Sequence, residues 1–262
     1  MSFVRRIFES FQTRNLSHLA VELFIVIIGV FVGIQVSNWN DERIERSRAH
    51  SYLERIRADL DADINNFRNR LDFWHKVSAY GELGLDYANT GDLGNASQWD
   101  LLLAYFQASQ LGEFYTTRST YDELKSGGAL GLINDLGLRD QLARYYTNAD
   151  NPVLTERPAY REHIRGLIPL RIQNYIWGQC YSSDDYDFSQ TLIECEAPFN
   201  PKEAEALVAA ISENEQLMSE LRYWMSTMRV AQIIGNGRTR TAQRLRDAVN
   251  AVATAASSTE NP

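Results

Sequence analysis

Carboxylates in close array are the first residues here whose types and spacing could do chemistry. Asp59, Asp61 and Asp63 of "DLDAD" stand at the offsets of a calcium loop, and Asp184, Asp185 and Asp187 form a second acidic run. A calcium loop also needs a glycine to bend it. "DLDAD" has none and lies in a helical pattern, so its carboxylates are expected along a helix. The second run offers an incomplete ligand set and at most a weak hold on calcium. The four histidines, His18, His50, His75 and His163, show no metal-ligand spacing and read as surface or packing residues. There is no phosphate-cradling glycine loop and no nucleophile elbow. The reading is therefore no catalytic set, no cofactor and no metal. An enzyme with an unrecognised site, built from scattered groups near Cys180, is an alternative.

Cys180 and Cys195 are the two cysteines, and they bracket the polar stretch "CYSSDDYDFSQTLIEC". The stretch looks too irregular to be held by a core alone, so a disulfide is expected to close it. Such a bridge would contribute about 3 kcal/mol in the chain-entropy model and would persist only in an oxidising compartment. Two buried free thiols are the alternative. Zinc is disfavoured because paired short Cys repeats are missing.

Glu22 is a third candidate. It stands near the start of "VELFIVIIGVFVGIQVSNWN", and on a helix it shares one stripe with Val26, Gly29, Gly33, Val36 and Asn40. Gly29 and Gly33 form a G-x-x-x-G, which lets a second helix approach closely where lipid supplies no hydrophobic drive. One reading is a homo-oligomer or a partner transmembrane helix, with Glu22 hydrogen-bonding across the interface. Another keeps Glu22 at headgroup level with the glycines merely tolerated. A third makes it a proton or cation relay in a subunit of a membrane transport complex.

The elements that must position these groups follow from hydropathy and proline placement. From Leu19 to Val36 the chain is almost wholly apolar. These residues reach roughly 27 Å, just short of a hydrocarbon core of about 30 Å. No small-x-small cleavage site follows, so an uncleaved anchor over residues 19–37 is expected, with Trp39 at one membrane interface. The leader, residues 1–18, places Phe3, Val4, Ile7, Phe8 and Phe11 at helical spacing with Arg5 and Arg6 between them, as an interfacial helix would. Arginines before and after the span are equal in number, so the positive-inside rule does not orient it. The cysteines do, and they place residues 38–255 outside the cytoplasm. Residues 256–262 read as a disordered tail.

A net charge of −8 in 262 residues, with no dense basic block, excludes an ordinary nucleic-acid surface. All six prolines fall at position 152 or later, which leaves the first half free to form long helices. Leu53, Ile56, Leu60, Ile64, Phe67, Leu71, Trp74 and Val77 recur every three or four residues. Leu217, Leu221, Trp224 and Met228 make a second stripe, in a helix opened by Asn200, Pro201 and Glu203. Leu245, Val249 and Val252 continue it past "GNG", which is expected to kink or interrupt the helix. The fold class is all-α: an N-terminal transmembrane helix continuing into a long antiparallel helical hairpin, a coiled-coil-like pair, with shorter capping helices. The antiparallel arrangement would bring Arg238, Arg240, Arg244 and Arg246 level with the acidic start of the first arm. Shorter helices are expected over 97–109, 120–125, 136–147 and 156–177, with a kink at Pro169. Ser119 is expected to cap the second of these and Asp135 the third, with Gly127 and Gly128 between them.

"ELFIVIIGVFVGIQVSNWN", "DERIERSRAHSYLERIRADL" and "TYDELKSGGALGLI...LRDQLARYY" together resemble a bacterial family of single-pass membrane proteins of unknown function. The resemblance covers the first 150 residues best. It implies that Glu22, the glycine pair and the Asn38-Trp39-Asn40 end belong to one signature, and it brings no activity or catalytic residue. The functional expectation is a membrane-anchored, non-enzymatic interaction, scaffold or sensor component, with the lipid bilayer as one partner.

Overall fold

The computed structural model describes residues 16–112, 115–147, 157–184, 189–198 and 201–258. The chain is all-α, with eight α-helices and one small two-stranded sheet among the described residues. It divides into two compact units, Met1–Tyr52 and Leu53–Pro262. The leader with Arg5 and Arg6, the Asn200 cap, Asp185 and Asp187 lie outside the described residues.

Helix α1, Leu16–Thr90, carries both the apolar segment and the first arm of the hairpin. All eight apolar residues of its predicted stripe, from Leu53 to Val77, are buried. The helix ends where Gly91, at φ 70°, takes the left-handed turn and donates its N–H to the Tyr87 carbonyl at 2.8 Å. Helix α2, Gln98–Gln107, opens with a reciprocal capping box between Ser97 and Asp100 and is buried along most of its length. Helix α3, Ser119–Ser126, is joined through Gly127, Gly128 and a short 3-10 turn to α4, Leu136–Thr147. The carboxylate of Asp135 caps α4 by accepting from the Leu138 N–H at 2.8 Å.

The predicted helix over 156–177 is two helices, α5 (Ala159–Leu167) and α6 (Leu170–Gln179), because Pro169 cannot donate to the ladder and pushes Ile168 into extended conformation. Strands β1 (Tyr181–Ser183) and β2 (Gln190–Leu192) then pair antiparallel, with Ser182 opposite Thr191. The stretch read as an irregular loop thus contains a hairpin. Its short polar strands carry too little apolar alternation to announce themselves. Cys180 and Cys195 are joined by a disulfide at its base.

The last two helices correct the sequence reading at both ends. Helix α7, Pro201–Ser212, stops, and Asn214 caps a new helix by accepting from the Leu217 N–H at 3.0 Å. That helix, α8, then runs unbroken from Glu215 to Ser258, straight through "GNG". Thr239 and Thr241 hydroxyls and the Asn236 amide donate back to carbonyls one turn earlier, at 2.8 to 3.0 Å. Gly235 is where the other arm needs room: a Cβ there would lie 3.0 Å from Leu71 and 3.1 Å from Trp74.

Pairs across the seam establish the antiparallel arrangement. Arg246 meets Asp61 at 3.3 Å, Gly235 faces Leu71 and Trp74, Gln232 donates to Ser78 Oγ at 2.8 Å, and Met225 lies on the bare Cα of Gly81. Numbers rise along α1 as they fall along α8. Helix α7 packs on α2, while α4 and α5 pack on α8. Trp224 donates from its indole to the Ala108 carbonyl at 2.9 Å, tying α8 to the end of α2.

The seam makes Gly235 and Gly237 opposites, since nothing lies within 4 Å of a Cβ built on Gly237. Replacing Gly235 with Leu overpacks the seam and should cost about 1–3 kcal/mol. Gly237→Ala, at an open helical site, should gain up to about 1 kcal/mol. Urea unfolding of the two variants measures the contrast, and equal effects would contradict this seam.

Candidate functional site

Two of the three "DLDAD" carboxylates act as caps supplied from another helix. Asp59 and Asp63, one turn apart on α1, face the start of α3, where Arg118 gives no side-chain cap. Asp63 accepts the Thr117 N–H at 2.7 Å and Asp59 the Thr120 N–H at 3.3 Å. Asp59 thus answers an amide that a helix start leaves without a partner, at its positive end, and Asp63 fixes the residue just before the cap position. The expectation that Ser119 caps α3 is thereby corrected: Ser119 is already the first helical residue, and the cap comes from some sixty positions earlier. Asp61, between them, points the other way to Arg246.

Asp63 is fully buried and also accepts the Tyr145 hydroxyl at 2.6 Å. Burial pushes its carboxyl up to about 6, with the Tyr145 and Thr117 hydrogen bonds pulling against that shift and the Asp59 charge adding to it. The Tyr145 phenol is raised well above its ordinary range, first by burial and then by the Asp63 charge beside it. Tyr146 stacks on Tyr121 with ring centroids 4.6 Å apart and meets Tyr145 edge-on at 4.9 Å. The junction therefore locks α1, α3 and α4 together through one carboxylate that titrates near neutrality.

Beside this junction, on the far side of Tyr145, α4 and α8 leave an open groove of about 770 Å³. Arg144 and Tyr145 line it from α4, and Ile234, Arg240, Arg244 and Leu245 from α8. Arg144 pairs with Asp140 one turn back on its own helix. Of the four α8 arginines expected level with acidic residues, Arg246 contacts Asp61 and Asp247, while Arg238, Arg240 and Arg244 line the groove. The groove was not visible in the sequence because its walls come from helices about ninety residues apart.

A second cationic cluster has a structural explanation. Arg161 donates to the Ser109 carbonyl at 2.6 Å, and Arg165 donates to Ser109 Oγ and Gln110 Oε1, each at 3.1 Å, at the negative end of α2. Arg165 lies over the rings of Phe106 and Trp177, and burial, helped by the Arg161 charge, pushes it down to about 9.

The other candidates are dispersed. Glu22, Gly29, Gly33, Trp39 and Asn40 all lie on exposed α1, and nothing stands within 4 Å of a Cβ built on either glycine. Cys180 and Cys195, with Cα atoms 5.3 Å apart, anchor the β hairpin against α2: Trp99 donates to the Cys195 carbonyl at 2.8 Å and Gln107 to the Cys180 carbonyl at 2.9 Å. His163 Nδ1 lies 2.8 Å from Glu220. Among the described residues no three metal-ligating side chains gather. No family model, curated protein or solved structure matches the chain.

Asp63 sets a pH dependence of known sign. Its folded value of about 6 exceeds its ordinary 3.8. The stability it contributes is therefore fully present below pH 3.8 and lost as pH rises through about 6, a change of up to about 3 kcal/mol. Denaturant midpoints from pH 4 to 7.5 should show wild type losing ground to Asp63→Asn by that order as pH rises; a constant difference would refute it. Separately, the Cys180→Ser/Cys195→Ser variant should lose about 3 kcal/mol in the same measurement if the bridge acts on the unfolded chain.

Proposed function

We propose that the chain is a single-pass membrane-anchored protein, with residues 19–37 as the span, whose helical domain, residues 38–255, works outside the cytoplasm as a non-enzymatic interaction, scaffold or sensor component. One observation carries the reading. An 18-residue window of α1 has a mean hydropathy of 2.0, and none of it is buried by the rest of the chain. A core helix of a water-soluble domain would hide such a segment, and leaving every face of it in water forfeits about 25 cal/mol for each Å² that lipid would cover. By length and composition it is the one candidate span among the described residues.

The Cys180–Cys195 bridge supports export, since disulfides persist in oxidising compartments. The open face around Gly29 and Gly33 suits close approach of a second copy or of a partner's transmembrane helix, with Glu22 and Asn40 on the same stripe. Its motifs resemble those of a bacterial family of single-pass membrane proteins. An interaction or sensor role accords with the Asp63 junction, where Asp63 accepts from Thr117 and Tyr145.

A phosphatase reporter joined after Gly91 should be active outside the cytoplasm and silent inside. Photo-cross-linking in the native membrane should capture a second copy or a discrete partner, and Gly29→Leu/Gly33→Leu should cut that yield at least five-fold without altering export. Recovery of monomer alone would defeat the interaction reading. A reporter active only inside the cell would defeat the topology.

A further inference from the structure

We infer that the groove between α4 and α8 is a binding site for a small organic anion carrying two or more phosphate or carboxylate groups. The inference deepens the sensor reading above and rests on it.

The charge pattern is the starting point. The chain has a net charge of −8, yet one groove gathers Arg144, Arg240 and Arg244. Arg240 and Arg244 are one turn apart on one helix, an arrangement that repels and mildly destabilises an isolated helix. Among the described residues neither forms an ion pair, whereas Arg246, two positions on, reaches Asp61 and Asp247. Carboxylates are thus available along this stretch, and the two arginines are turned away from them into the groove.

Shape and lining define the ligand. A volume of about 770 Å³ falls within the range of small-molecule sites, roughly 300–1,000 Å³. Ile234, Leu245 and Tyr145 line it beside Arg240 and Arg244 of α8 and Arg144 of α4, the last already paired with Asp140. Guanidinium forks bind phosphate and carboxylate oxygens in pairs, so Arg240 and Arg244, one turn apart, favour a ligand charged at more than one point. An occupant would also touch Tyr145, whose hydroxyl donates to Asp63 at 2.6 Å. Asp63 in turn holds the start of α3. Ligand and helix are therefore linked through two consecutive hydrogen bonds.

The test is isothermal titration of the full chain in zwitterionic lipid discs with citrate and with inorganic pyrophosphate at low salt. At least one probe should bind and weaken as salt is raised. Arg240→Gln/Arg244→Gln should reduce its affinity ten-fold or more while helicity and thermal midpoint stay unchanged. Arg246→Gln, outside the groove, should stay within two-fold. If anionic lipid in the discs competes, the bound anion is a headgroup; if it does not, the ligand is a soluble anion. Absence of binding by both probes, or affinity retained within two-fold in the double variant, overturns the site. Loss of this site with cross-linked partners still recovered removes the ligand class and leaves the anchored interaction reading intact.

Discussion

The seam between α1 and α8 sets the register on which α4, α5 and α7 pack. It is tightest where bare glycines let side chains of the opposite helix reach backbone: Gly235 beneath Leu71 and Trp74, and Gly81 beneath Met225. Helix pairs held apart by large residues on both sides can slide by a turn at modest cost. A pair with matched bulk and absence cannot, because a shift drives Trp74 into a side chain. The register set there places Asp61 against Arg246 and leaves Arg240 and Arg244 facing α4.

The buried polar groups follow from that register. Asp59 and Asp63 stand where α3 begins, and a helix start buried against another element must find acceptors for its amides. A carboxylate one turn along α1 is the shortest supply. The cost is a desolvated charge, visible in the raised carboxyl of Asp63, and the Tyr145 hydroxyl offsets part of it. Removing the Asp63 carboxylate would leave Thr117 and Tyr145 without their acceptor, so the charge is retained by the groups that surround it. The same hydrogen bonds join Tyr145, which lines the arginine groove, to the segment that leads into α3.

The disulfide hairpin is attached by different means. Its strands are three residues each, and Trp99 and Gln107 hold its base by hydrogen bonds to the cysteine carbonyls. A two-stranded hairpin of this length has little stability of its own in water. Covalent closure, the two side chains from α2 and the burial of Cys180 and Leu192 in the core supply what the strands lack.

Helical periodicity could be read directly from the chain. The stripe from Leu53 to Val77, the caps at Ser97 and Asp135 and the limits of 136–147 depend on residues within a turn or two of one another, and local rules suffice for them. The all-α class and the exposed apolar segment follow from the same kind of information. What only tertiary structure decided is how distant residues meet. "GNG" looks like a helix breaker until Leu71 and Trp74 are seen filling the space a side chain would take. Ser119 looks like a cap until Asp59 arrives from α1. Arg240 and Arg244 stay exposed and share a groove with Arg144 of α4, which no window of the sequence brings together. At Gly235 and Ser119 a local preference worth about 1 kcal/mol was outweighed by burial or by a hydrogen bond from far along the chain, and a sequence read in windows does not contain the partner that outweighs it.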